Sequence, residues 1–186
     1  MIEVSAETIE RVEALLAGVP KGAERALSNA MNRGLSKMKT GAAKKVREVY
    51  AVQSSAINEA TNTRIQKAST GNLAGYIHFS GYKIPLYKFK VTPKAPGVKK
   101  QVTAAVKKGS GTAFENAFIA QMKSGHIGVF ERETSKRFPI EEKMGLAMAQ
   151  MVGNLNVMTE LEKEAQKTVD ERIVHEIDRL LNGYGG

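Results

Sequence analysis

Eight lysines between Gly81 and Ser110 are the residues whose type and spacing most clearly suggest a chemical task. This stretch has no acidic residue and no arginine, so it supplies +8 of the formal net charge of +9, and the other 20 basic residues nearly balance 19 acidic ones. Lysine ammonium groups act as point charges toward phosphates and carboxylates. The block therefore predicts contact with nucleic acid or with an acidic protein surface. The eight residues are Lys83, Lys88, Lys90, Lys94, Lys99, Lys100, Lys107 and Lys108.

The spacings that catalysis or metal binding requires are missing from the sequence. His78, His126 and His175 are scattered, and none belongs to a metal-ligand pattern such as His-Glu-x-x-His. The chain has no cysteine, which excludes disulfides, thiol catalysis and zinc sites with sulfur ligands. Segment 109–111 lacks the Gly-Lys-Ser/Thr that would complete a phosphate-binding loop, so it predicts a turn. We therefore expect no enzyme, no catalytic residue, no bound metal and no cofactor.

Composition predicts one domain over residues 1–186. A chain of this length with 42% hydrophobic residues can bury a substantial core. The first residues have no basic segment ahead of an apolar run, so we expect no signal peptide. No stretch approaches the roughly 18 consecutive apolar residues of a membrane span. These features predict a soluble protein that contacts no membrane and is made in the cytoplasm.

Helical periodicity marks both ends of the chain. Ser5 is a predicted N-cap for a first helix that stops near Gly18, and a long apolar stripe then predicts one helix from Pro20 to about residue 50. A short helix is predicted over 54–60. The helical period returns over 141–182, where methionines at steps of three and four predict core or an oligomer seam. Gly153 is expected to interrupt this segment and Gly183 to cap it.

The middle of the chain alternates as β-strands do. Strands are predicted over 73–79, 84–91, 101–106, 114–122 and 126–133, within an antiparallel sheet spanning 61–133. The fold class is therefore α+β, with helices in 1–60, this sheet, and a C-terminal helix. Strand, loop and strand over 84–106 predict a protruding basic hairpin.

Three interpretations of the basic hairpin compete. Its lysines could protect an exposed sheet edge from aggregation, contact phosphate backbones without sequence preference, or dock on an acidic neighbouring subunit. Only Tyr82, Tyr87 and Phe89 could stack on bases, and no nucleic-acid-binding motif is present. Sequence-specific recognition is therefore not expected. The predicted contact residues are Lys88, Lys90, Lys94, Lys99, Lys100, Lys107 and Lys108.

Residues 117–140 resemble a signature of the phage minor tail protein Z family, the tail-completion proteins of lambda-type siphophages and their prophage relatives. The upstream order is also similar: a helix, a proline, an alanine-rich helix that contains Asn32-Arg33, then a basic hairpin. The resemblance spans roughly residues 19–181. The residues that carry the short motif are Phe118, Ile119, Met122, Gly125, Val129, Arg132, Pro139 and Ile140.

The resemblance implies a structural protein of the virion tail, assembled in the host bacterial cytoplasm. It would act at the head-proximal end, where tail maturation and head–tail joining occur. The implied partners are a tail terminator or tail tube, a head–tail connector, and further copies of the chain in a ring, six-fold if it matches the tube. The hairpin has lysines where relatives are rich in arginine, so bidentate phosphate recognition is not expected.

The C-terminal part supplies the opposite charge, because residues 141–186 contain nine acidic and five basic residues. We expect the basic hairpin of one subunit to face the acidic helix of another. The alternative is a basic accessory protein that binds the DNA backbone without sequence specificity. Contact with passing DNA is compatible with both functions.

Overall fold

The computed structural model of the chain describes residues 3–183, and its α+β architecture confirms the predicted fold class. Helices precede and follow a central set of antiparallel strands. The helices are α1 (Ala6–Leu15), α2 (Gly22–Val49), α3 (Ser54–Ala60), α4 (Met148–Val152) and α5 (Leu155–Leu181). The strands are β1 (Thr61–Gln66), β2 (Tyr76–Gly81), β3 (Lys83–Pro85), β4 (Lys90–Thr92), β5 (Val102–Ala105), β6 (Thr112–Phe114), β7 (Ala117–Gln121), β8 (Ile127–Arg132), β9 (Ile140–Glu142) and β10 (Met144–Ala147).

The predicted helix signals are confirmed at several ends. The Ser5 hydroxyl accepts a hydrogen bond from the Thr8 backbone N–H at 3.2 Å, which satisfies one of the free donors of the first turn. Gly153 follows α4 as its C-cap, and Gly183 has a φ of +78° just beyond α5. Within residues 3–183, no helix is both long and apolar enough to cross a membrane.

The chain forms two compact units. The first contains residues up to 42, 63–78 and the segment from 155 onward, and the second contains 43–62 and 79–154. Chain connections between them run through α2, through β1 and β2, and between α4 and α5. That the chain folds as one domain stays a prediction.

Helices α1, α2 and α5 build the core of the first unit. Small residues on α2 let the helices approach closely, and the larger aliphatic residues on α1 and α5 fill the space between them. This core buries Val12, Leu16, Ala26, Leu27, Ala30, Val169, Ile173 and Leu180.

Small antiparallel sheets build the second unit. One sheet has the order β4-β5-β6 and another β7-β8-β9, while β3 pairs with β10. The inward side chains of the strands and of the turn before β4 form one buried cluster. Its members are Leu86, Val91, Val102, Ala104, Ile119 and Val129.

The prediction of one strand over 84–91 is wrong. The segment divides into β3, a 3₁₀ turn over Leu86–Lys88 and β4. Pro85 cannot donate to a strand ladder, and the Leu86 N–H bonds instead to the carbonyl of Lys143. The predicted strand over 114–122 is likewise divided into β6 and β7, the one over 73–79 begins only at Tyr76, and β1 was not predicted.

The prediction of helix from residue 141 onward is wrong at its start, because β9 and β10 occupy this region. Their backbone groups bond to neighbouring strands: β9 pairs with β8, and β10 pairs with β3. Met144 lies on β10 and is 46% exposed, whereas Met148 and Met151 are buried, as a core role predicts.

Candidate interaction surface

The eight lysines between Gly81 and Ser110 are available to a partner. Seven of them are exposed, and Lys88 is half-buried in the 3₁₀ turn. Within residues 3–183, none of the eight lies within ion-pair distance of an acidic side chain. Their charge is therefore not neutralised by an ion pair in the part of the chain that the structure describes, and it can act on another molecule.

The two strands of the predicted basic hairpin belong to the core. Lys90 and Thr92 face solvent on β4 while Val91 between them is buried, and on β5 Thr103 faces solvent between buried residues. In register, Lys90 lies opposite Ala105 and Thr92 opposite Thr103. The boundaries 84–106 therefore need correction: the hairpin is β4 and β5, and its exposed part is the connection between them.

That connection, residues 93–101, carries Lys94, Lys99 and Lys100 and is called the lysine loop below. Two hydrogen bonds hold it to the second unit. The Tyr87 hydroxyl donates to the Lys94 carbonyl at 3.0 Å, and the Gly97 N–H donates to the Ile119 carbonyl at 3.3 Å. Gly97 has a φ of +78°, a conformation that glycine adopts without steric cost. These hydrogen bonds therefore constrain the loop before any partner binds.

A shallow groove brings together two of the lysines from separate parts of the sequence. Lys90 on β4 and Lys108 after β5 line a space of about 350 Å³. Thr92, Thr103 and Ser110, which all carry hydroxyl groups, also line this groove. Ammonium and hydroxyl groups are the donors that bind phosphate oxygens, so this surface suits a phosphate backbone as well as a carboxylate.

The motif of residues 117–140 builds the β7–β8 hairpin. Ile119 and Val129 lie opposite each other and are buried in the core of the second unit. The Arg132 guanidinium lies 4.5 Å from the ring centroid of Phe118, a cation–π contact. These four residues therefore act by packing and positioning strands.

The remaining motif residues shape the ends of this hairpin. The Met122 N–H donates to the His126 carbonyl at 2.7 Å, and Gly125 between them has a φ of +85°. At the other end, Ile140 lies opposite Arg132, and the Pro139 carbonyl accepts the Glu133 N–H at 3.4 Å. The motif therefore forms a turn at one end of the hairpin and the pairing of β8 with β9 at the other.

His126 has a structural partner. Its Nε2 lies 2.8 Å from Oε1 of Glu142, which links the β7–β8 turn to β9. Among residues 3–183, no group of three or more His, Cys, Asp or Glu side chains could hold a metal ion.

A charged cluster in the first unit was missed from the sequence. Glu176 on α5 is only 1% exposed and binds the guanidinium of Arg172 at 2.6 Å and that of Arg179 at 2.8 Å. The Asn29 amide of α2 donates to the same carboxylate at 3.0 Å. The i, i+3 and i+4 spacing of arginines around one glutamate was the available signal.

Burial alone would raise the pKa of Glu176, because it removes water from the carboxylate. The hydrogen bonds from Asn29 and Arg179, together with the charges of Arg172 and Arg179, outweigh burial and hold the pKa below its ordinary value. Glu176 is therefore a carboxylate that fixes two helices and two arginines.

The family model of prophage minor tail protein Z matches residues 8–184 of the 186-residue chain. The match covers the helices, the lysine-rich segment and the β7–β8 hairpin together. No curated protein and no solved structure matches the chain.

Proposed function

Because the chain belongs to the prophage minor tail protein Z family, we propose that it completes the head-proximal end of a phage tail and makes the tail competent to join the head. Family membership indicates a component of the virion tail that interacts with other tail proteins. The observation that supports the finer proposal is the match over residues 8–184, which includes residues 117–140, where the sequence resembles the family's motif.

The lysine-rich surface supports a role in assembly. Seven of its eight lysines are exposed, none has an acidic partner among the described residues, and the lysine loop is held by hydrogen bonds before binding. A surface of this kind favours fast and oriented docking on an acidic neighbour. The proposed neighbours are the tail terminator or tail tube, the head–tail connector, and other copies of this chain in a ring that is six-fold if it matches the tube.

A second candidate function, binding of the DNA backbone without sequence preference, is favoured by the groove between Lys90 and Lys108. Its ammonium and hydroxyl groups suit phosphates. Such binding would weaken steeply with salt, since each neutralised phosphate releases counterions.

Fluorescence anisotropy with labelled duplexes of unrelated sequence separates the two functions. If the chain acts in assembly, we expect its binding to the duplexes to be weak and to be lost at about 0.15 M salt, where the Debye length is about 8 Å. Tight binding to every duplex at that salt concentration would support the second function and contradict the first as the main role of the lysines. A variant with Lys123 and Lys136 changed to glutamate, two exposed lysines outside the block, should bind each duplex as the wild type does if the groove is the DNA site.

A further inference from the structure

Helices α1 and α5 form an apolar groove on the surface of the first unit. It has a volume of about 320 Å³, and Val12 and Ile173 form its buried floor. Leu15 on α1 and Val174 on α5 stand at its edge, with 47% and 61% of their surface exposed. Adjacent apolar side chains that are this exposed favour a partner that covers them.

The border of this groove is acidic. Asp170 and Asp178 line it on α5, and Arg11 lines it on α1. Helix α1 carries three glutamates against one arginine, and α5 carries seven acidic residues against four basic ones. A partner that fits the groove therefore needs an apolar group with positive charge beside it.

The lysine loop has this composition. Val98 is 42% exposed and is followed directly by Lys99 and Lys100, with Lys94 four positions before it. The hydrogen bond of the neighbouring Gly97 to Ile119 holds this part of the loop in place. Docking would therefore cost little conformational entropy of the loop backbone.

We propose that the lysine loop of one copy binds the α1–α5 groove of a second copy. Val98 packs against Leu15 and Val174, and the lysines lie beside the acidic border. The groove and the loop are different surfaces, so the contact is heterologous: each copy uses its loop on one neighbour and its groove on the other, which builds a ring or an open chain. The inference deepens the proposed function and rests on the chain being a repeated subunit.

A charge exchange between the two surfaces tests the contact. The loop variant carries Lys99→Glu and Lys100→Glu, and the groove variant carries Asp170→Lys and Asp178→Lys. Sedimentation velocity over a concentration series of the full chain should show self-association of the wild type. Each variant alone should need about tenfold higher concentration or more to associate, because like charges then face each other. Their equimolar mixture should recover association, since every contact again joins opposite charges.

The control variant, Lys123→Glu with Lys136→Glu, alters net charge as much as the loop variant and should associate like the wild type. A wild type that stays monomeric at every concentration overturns the inference. The partner of the groove would then be a different protein. Association that survives in both variants, a mixture that does not recover, or a control that fails equally would also overturn it. Circular dichroism of each variant excludes unfolding as the cause. None of these results depends on the position of the protein in the virion, so the proposed function is tested separately.

Discussion

A lysogen that lacks this gene and is complemented with a chain carrying glutamate at Lys99, Lys100, Lys107 and Lys108 is expected to yield about 100-fold fewer infectious particles than one complemented with the wild type. These side chains are exposed and have no acidic partner within the described residues, so the change should not disturb the core. Reversal replaces attraction to an acidic neighbour with repulsion, and a few kcal/mol of repulsion corresponds to a factor of this size. Plaque titre measures the yield, and electron microscopy counts joined and unjoined heads and tails.

The matched control reverses four exposed lysines elsewhere, namely Lys39, Lys44, Lys123 and Lys136. It changes the net charge by the same amount and should leave the titre within a few-fold of the wild type. Equal loss in both variants would mean that net charge, and not the lysine block, determines the yield. A normal titre from the first variant would show that the lysine block has no role in tail assembly.

Changing Glu176 to glutamine is expected to lower the free energy of unfolding by about 2 kcal/mol at pH 7, because charge-assisted hydrogen bonds to two arginines become weaker and a buried network loses its charge balance. The side chain keeps its size, so the loss reports charge and not a cavity. Urea unfolding followed by circular dichroism measures it. The control is Glu171→Gln, which alters an exposed ion pair with Lys167 and should cost less than about 0.5 kcal/mol.

The effect of Glu176 should depend on pH in one direction. The pKa of this carboxyl is lower in the folded chain than its ordinary value of 4.5. Its contribution to stability is therefore complete above that value and is lost as the pH falls through the lower folded pKa. The stability difference between the wild type and Glu176→Gln should shrink as the pH is lowered below 4.5. A difference that grows on acidification would contradict the assigned role of the carboxylate.

Local sequence signals predict several helix ends, because the residues that set each end lie next to it in the sequence. The Ser5 cap, the apolar stripe of α2 and Gly153 act within a few residues of the boundary they set. The secondary structure of 84–91 and 140–147 is not predicted correctly, because these strands form by pairing with residues far away in the sequence. The Leu86 N–H bonds to the carbonyl of Lys143, 57 positions away, and no local pattern encodes this partner.

The surface was predictable in composition but not in arrangement. The count of lysines predicted an exposed basic block, and all but half-buried Lys88 are exposed. The alternating burial of Lys90, Val91 and Thr92 shows that β4 packs on the core with one face. The lysine loop is therefore the exposed part of the hairpin. The groove border at Asp170 and Asp178 depends on the packing of α1 against α5, which requires tertiary structure.

The position of the chain in the virion tests its proposed role most directly. Tails purified from an induced lysogen, labelled with gold-coupled antibody against this chain and viewed by negative-stain electron microscopy, should carry gold at the end that joins the head. Tails from the lysogen that lacks the gene should carry none. Gold at the distal tip, or purified tails without the protein, would contradict the account.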